Sequence, residues 1–285
     1  MITNISIGLD GRLGNQLFQY AALKSLALYN NYQCVLPNIT ERVWHGQQCL
    51  LDNFNLECDF VDKLSLEWEY NEENINEFDS NFFNIPDNTT IRGFFQNLKY
   101  FENFENQICK ELTTKQNIQD IADNLLEFHR GDHELVSIHI RRGDNVTVNV
   151  EFGNQLFGND SSTLDWSTGY GLYLKKALSL FDNKKVKFLV FTGGSRTSKD
   201  NSDDIKWIEN NLKFDNISVL STDDPLVDYT LISKCDHNIL SHATSFGWWA
   251  AYINQNLNKI MIAPKNYFVD GSDASRMFTN KFILL

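Results

Sequence analysis

The stretch Val136-Ser137-Ile138-His139-Ile140-Arg141-Arg142-Gly143-Asp144 is an apolar run that stops abruptly in two arginines, a glycine and an aspartate. Residues 135–140 are short, β-branched and apolar apart from Ser137 and His139, so they read as a buried strand. The loop that follows then lies at the carboxyl end of that strand, the edge where open α/β sheets bind ligands. Two guanidinium forks there suit a phosphate or diphosphate, and Gly143 lets backbone approach an anion closely. The competing reading is two solvated arginines, or arginines paired with nearby carboxylates.

Working outward, residues 2–9 alternate and are β-rich, Asp10–Gln16 form a glycine-bearing loop, and residues 17–29 have helical spacing. This is a strand, glycine loop and helix, yet it is neither GxGxxG nor a Walker loop, because the lysine-serine pair is missing. Between 31 and 130 short strands, acidic stretches and aromatics alternate, with helices read at 98–112 and 114–128. Arg130-Gly131-Asp132 reads as a helix-ending loop. Beyond 134 the pattern is regular. Strands are expected at 135–140, 186–191, 217–220, 237–241 and 259–263, with helices at 170–180, 203–212, 225–234 and 244–254. Residues 145–168 read as a long polar loop. Strands alternating with helices predict parallel α/β sheets. The expected architecture is two Rossmann-like domains, 1–133 and 134–285, facing a central cleft. Gly14-Asn15-Gln16-Leu17-Phe18 recurs at 153–157, but only the first copy follows a strand.

The 285 residues are 42% hydrophobic and 13% aromatic, enough for two cored domains. A net charge of −12 speaks against a nucleic-acid binder and against docking on anionic lipid. Five widely spaced cysteines without a CxxC pair suggest free thiols in a reducing compartment. The beginning of the chain lacks a basic, apolar leader, and no apolar run reaches the ~18 residues of a membrane span, so a cytoplasmic setting is expected.

Three segments line up in order: Gly11-Arg12-Leu13-Gly14-Asn15-Gln16-Leu17-Phe18-Gln19-Tyr20-Ala21, His139-Ile140-Arg141-Arg142-Gly143-Asp144, and Ser241-His242-Ala243-Thr244-Ser245-Phe246-Gly247-Trp248-Trp249-Ala250-Ala251-Tyr252. Together they resemble the α-1,2-fucosyltransferase family, glycosyltransferase family 11. The resemblance implies a GT-B-like fold and inverting transfer of L-fucose from GDP-fucose to the 2-hydroxyl of a galactose-type acceptor, with no metal required. Asn145 stands where the family often has an aromatic residue, Gly247 where it often has serine, and Thr192-Gly193-Gly194-Ser195 where an acidic pair is expected.

On that resemblance Arg141 contacts the β-phosphate, while Arg142 shares the task or braces Asp144. Thr244, Ser245 and Phe246 offer a helix start to the phosphates. Thr244 could equally be an ordinary N-cap. Asp228 matches the acid that accepts guanine N1–H and N2–H, with Asp236 as its competitor, and His139 points towards the nucleotide. Arg12, Gly14, Asn15 and Gln16 belong to the sugar and acceptor side. No general base is identified; Asp10 is the candidate beside the glycine loop. Two rival readings remain: a transferase using another GDP-hexose or making another linkage, and an inactive sugar-nucleotide or glycan-binding protein.

Overall fold

A computed structural model of the chain describes residues 1–148, 150–157, 162–193, 201–268 and 270–285. It divides into two compact units, Met1–Lys115 with Ser275–Phe278, and Gln116–Ala274 with Thr279–Leu285. The sequence places the boundary at 133/134, whereas the units part at 115/116. The reason is the helix Gln116–Arg130, which packs on the helix Pro225–Lys234 of the second unit. Lys234 pairs with Asp123, and Arg130 pairs with Asp236. Gly131, at φ +53°, closes that helix in the left-handed region, as the helix-ending reading of Arg130-Gly131-Asp132 requires.

The second unit is a six-stranded, all-parallel sheet. Its order is Ile217–Val219, Val186–Thr192, Glu134–Ile140, His237–Ile239, Met261–Ala263 and Phe282–Leu284. The last strand is missed by the sequence reading. Val136, Ile138 and Ile140 project into a core shared with Phe157, Tyr170, Leu174, Val190 and Ile262, which is why this run is β-branched and apolar. Chain order runs outward from Glu134–Ile140 on one side and returns to its other side at His237–Ile239. The topological switch point therefore lies between these two strands.

The expected loop at 145–168 is a correction. Helices Gly143–Thr147 and Val150–Phe157 occupy much of it. The second Gly-Asn-Gln-Leu-Phe copy lies inside the latter helix. A Cβ on Gly153 would sit 2.3 Å from the Asn145 carbonyl oxygen, so that glycine allows two short helices to touch.

The first unit is smaller. Thr3–Asn4, Thr89–Arg92 and Trp68–Asn71 pair in parallel, as do Val35–Pro37 and Asp59–Val61, and a parallel bridge between Ile2 and Cys34 joins the two groups. The first strand is far shorter than the expected 2–9. Asn4 Oδ1 accepts from Ser6 N–H at 3.0 Å and Ser6 Oγ at 2.7 Å, a side-chain turn that competes with the ladder. Arg42 then holds the looped backbone through the carbonyls of Ile5 (2.6 Å) and Ile7 (2.8 Å). The helix Leu13–Asn30 follows. The helix expected at 98–112 is shorter, Glu105–Glu111, preceded by single 3₁₀ turns.

Candidate functional site

Arg141 sits where Glu134–Ile140 ends, at the carboxyl edge of the sheet. Its Nε and Nη2 donate to the two oxygens of Asp144 at 3.1 and 2.8 Å, a bidentate pair. Its Nη1 donates to the carbonyl of Ala243 at 2.7 Å. The Asp144 side chain is fully buried and that of Arg141 is 19% exposed. Ala243 lies just past the neighbouring strand His237–Ile239, so one guanidinium spans the switch point. Ala243 adopts φ +48°, a left-handed conformation that costs a non-glycine residue about 1 kcal/mol or more and turns its carbonyl to the arginine. A guanidinium has five N–H donors, of which these bonds use three.

The sequence offers Arg142 either for the phosphate or for bracing Asp144; the bidentate pair on Asp144 is made by Arg141. Arg142 donates to Asp204 at 3.1 Å and lies 4.9 Å over the Trp207 ring, while Asp204 also accepts Gly143 N–H at 3.0 Å. Burial raises the Asp204 pKa, and the Arg142 hydrogen bond opposes it. The sequence carries no sign of Asp204 as a partner, because the pairing crosses 62 residues. Asn145, the departure from the family pattern, is 1% exposed and donates to the Arg141 carbonyl at 2.9 Å, which fixes the backbone where the guanidinium emerges.

Thr244 is the N-cap of the helix Ser245–Tyr252; its hydroxyl accepts Gly247 N–H at 3.2 Å. The N-cap reading therefore holds for its side chain. Helix geometry leaves the earlier N–H groups of that first turn without intrahelical acceptors, and with the helix dipole they favour an anion. Tyr267, which the sequence does not single out, donates to the Thr244 carbonyl at 2.7 Å. Phe246 is flanked by His139 (centroids 5.6 Å apart) and Tyr229 (5.8 Å), the neighbour of Asp228. His139 is 6% exposed, and burial, with Arg141 adding, lowers its pKa to about 3, so it is a neutral imidazole at physiological pH. A Cβ on Gly247 would lie 2.6 Å from His139 Nδ1, which explains glycine where serine is common.

Asp228 lies on the same sheet edge, beside the end of Val186–Thr192. Its Oδ1 accepts Thr222 N–H and Oγ1–H, both at 2.8 Å, and its Oδ2 lies 3.1 Å from the Ser221 hydroxyl. Burial raises its pKa to about 7 against these hydrogen bonds. Its competitor Asp236 belongs to the scaffold, accepting from Arg130 and from Leu135 N–H (2.7 Å). Gly194 and Ser195 lie outside the described residues.

In the first unit the glycine loop folds over its own helix. Gly11 has φ +84°, and a Cβ there would meet Asn15 Cβ at 2.6 Å. Asn15 Oδ1 accepts from Gln96 at 2.9 Å. Gln16 does not reach a sugar surface. It is 2% exposed, donates to Gly11 carbonyl at 3.0 Å and accepts from Cys49 at 3.3 Å. Gln19, unremarked in the sequence, joins the carbonyls of Asp10 (3.1 Å) and Gly93 (3.2 Å). Gly14 is buried inside the helix, and Arg12 stands at its N-cap position, half-buried. Asp10 is half-buried on the loop.

The model of glycosyl transferase family 11 matches residues 2–281. The chain belongs to that family. The O-antigen biosynthesis glycosyltransferase WbnK of Escherichia coli is 23% identical over 97% of this chain and 99% of that protein. The galactoside alpha-(1,2)-fucosyltransferase 1 of Leontopithecus chrysomelas is 26% identical over 86% of the chain, which spans only 64% of that relative's length. Among solved structures, fucosyltransferase NodZ from Bradyrhizobium aligns with a TM-score of 0.51 at 14% identity, over 87% of this chain and 91% of that one. POFUT1 in complex with GDP-fucose aligns at 0.53 and 13% identity, over 92% of this chain and 97% of that one. At these identities the structures show the fold alone, the GT-B-like α/β class. Among the described residues no helix is long and apolar enough to cross a membrane.

Proposed function

We propose that this family 11 chain is an inverting fucosyltransferase that moves L-fucose from GDP-fucose to the 2-hydroxyl of a galactose-type acceptor. The observation that carries the reading is Arg141, locked by Asp144 and Ala243 at the switch point with two N–H groups beyond those three bonds. The diphosphate gathers charge as its bond to the fucose anomeric carbon breaks. Donors already in position stabilise that charge more in the transition state than in the ground state. Arg141 supplies a guanidinium that cannot swing away, and the start of the helix Ser245–Tyr252 supplies backbone N–H groups. Asp144 positions Arg141, and Asp204 with Trp207 positions Arg142.

Asp228 receives guanine. Its Oδ1 already accepts two hydrogen bonds, so Oδ2 is the oxygen that takes N1–H or N2–H. Guanine then draws the Ser221 proton from Asp228 towards the Thr192 carbonyl, 2.6 Å from Ser221 Oγ. On the sugar side Asn15, presented by Gln96, and Arg12 face donor fucose or acceptor, with Asp10 as the base that receives the acceptor hydroxyl proton. Arginine and backbone N–H groups meet the leaving charge without a required metal. Five free cysteines support a reducing, cytoplasmic setting.

The test is an array of β-galactosides with labelled GDP-fucose, the product linkage read by NMR, with and without chelator. An α-1,2 product formed in chelator supports the reading. Turnover only with another GDP-hexose, or GDP binding without hydrolysis or transfer, overturns it. Those two results favour the other-donor transferase and the inactive binding protein respectively.

A further inference from the structure

Cys34 and Cys58 take no part in the proposed transfer, and the sheet of the first unit brings them together. Cys34 precedes Val35–Pro37 and Cys58 precedes Asp59–Val61. The strands pair in parallel with Val35 opposite Asp59, and Asp59 N–H donates to the Cys34 carbonyl at 3.3 Å. Carrying the register back one residue sets the cysteines side by side on one face. Paired strands run about 4.8 Å apart, within the ~4.4–6.8 Å Cα separation of a disulfide.

Their surroundings form a built site. A cavity of about 490 Å³ is lined by Lys24, Tyr32, Cys34, Glu57, Cys58 and Asp59. Lys24 is 6% exposed, sits 3.0 Å from Glu111 Oε1 and donates to the Glu57 carbonyl. Tyr20 donates to the other Glu111 oxygen. Cys58 is half-buried at the cavity, whereas Cys34 is 8% exposed behind it.

We propose that Cys34 and Cys58 form a dithiol site that a peroxide oxidises to a disulfide, with Cys58 as the attacking and Cys34 as the resolving thiol. In the first step the Cys58 thiolate attacks one peroxide oxygen. The O–O bond breaks, giving Cys58 sulfenic acid and hydroxide. In the second the Cys34 sulfur attacks Cys58 Sγ, the S–O bond breaks, and the hydroxyl leaves with the Cys34 proton as water. Each sulfur gives up one electron and the peroxide oxygens are reduced. The division of roles follows access: Cys58 is half-buried at the cavity, whereas Cys34 is buried. The neighbouring Cys34 thiol, with the Lys24 charge, holds the Cys58 thiol below its ordinary range, against burial and Glu111. The neighbouring Cys58 sulfur, then burial, holds Cys34 well above that range. By contrast Cys49 is pushed up to about 11 by burial, and Cys235 is raised further by the same cause.

The experiment treats the reduced full chain with hydrogen peroxide, blocks free thiols with maleimide under denaturing conditions, and maps peptides by mass without reductant. The expected result is a Cys34–Cys58 cross-linked peptide, reversed by dithiothreitol, with blocked cysteines falling from five to three. Cys58 should react roughly tenfold or more faster than Cys49, its larger thiolate fraction being partly offset by lower intrinsic nucleophilicity. In Cys34→Ser the Cys58 sulfenic acid persists and is trapped by dimedone. Cys49, Cys109 and Cys235 oxidising as fast as Cys58 overturns the proposal. So does oxidised Cys58 in the unaltered chain without a cross-link. The unaltered chain alone decides both, so a variant that fails to fold does not remove the test.

Discussion

Arg141 and Asp144 are best separated by a double-mutant cycle. Arg141→Ala deletes three hydrogen bonds and leaves a fully buried carboxylate without its cation. Breaking a buried pair from one side costs about 3–5 kcal/mol, a large share of the roughly 5–15 kcal/mol that holds a domain folded. Asp144→Ala leaves Arg141 its Ala243 contact and 19% exposure, so its loss should be smaller, about 2–3 kcal/mol, two bonds to a charge offset by rehydration. The double variant loses the bidentate bonds once and strands no charge. The two single losses therefore exceed the double loss by about 2–3 kcal/mol. Urea unfolding followed by far-ultraviolet circular dichroism and tryptophan fluorescence measures this. Transfer assays on the folded fraction complete it: Arg141→Ala should lose about 10²–10³ in kcat, the usual effect of one preorganised donor. Losses that add within about 0.5 kcal/mol would show that the clamp is not a unit and refute the reasoning.

Asp228 gives a pH signature. Its folded pKa of about 7 lies above the ordinary carboxyl value of 3.8, so its contribution to stability is complete below the latter and lost as pH rises through about 7. Guanine needs the ionised form, so GDP affinity by calorimetry should rise between about pH 6 and about pH 8, with proton release, and Asp228→Asn should flatten the profile. Gly247→Ala should destabilise the second unit, since its Cβ would meet His139 Nδ1 at 2.6 Å. The cost, about 1–3 kcal/mol, should shrink in the His139→Ala background, and equal costs in both would exclude the clash. Gln96→Ala releases Asn15 Oδ1 and should lower kcat with GDP affinity unchanged; a matching fall in GDP affinity would place that loop elsewhere in the reaction.

The second unit is largely legible because its four central strands are buried on both faces and two of its helices open on side-chain caps, Asp224 and Thr244. The run at 135–140 and the helix beginning at Pro225 appear almost residue for residue. The first strand failed for a local reason, the Asn4–Ser6 turn, which hydropathy does not see. The helices hidden in 145–168 failed because their glycines serve close packing, as at Gly153, and read as loop. At the candidate site the sequence proposes residues but not their contacts. It singles out Arg141, but the anchor of that side chain on Ala243 depends on a backbone twist 102 residues away. Gln16 is assigned to the sugar and acceptor side by its motif, and nothing in that motif reveals Cys49 beneath it.

The pairing of Arg141 with Asp144 also bears on how the donor arrives. Arg141, the cation proposed for the diphosphate, carries its own counter-charge at 2.8 Å, on a chain of net charge −12. Out to about a Debye length from the surface, roughly 8–10 Å in ordinary buffer, an approaching nucleotide diphosphate meets net repulsion rather than a funnel. Added salt screens that repulsion, so the association rate constant of GDP should climb with ionic strength. Proteins that gather nucleotides with basic surfaces show the opposite trend. The local clamp thus favours accuracy of placement over speed of capture, and stopped-flow binding across a salt series reads that balance directly.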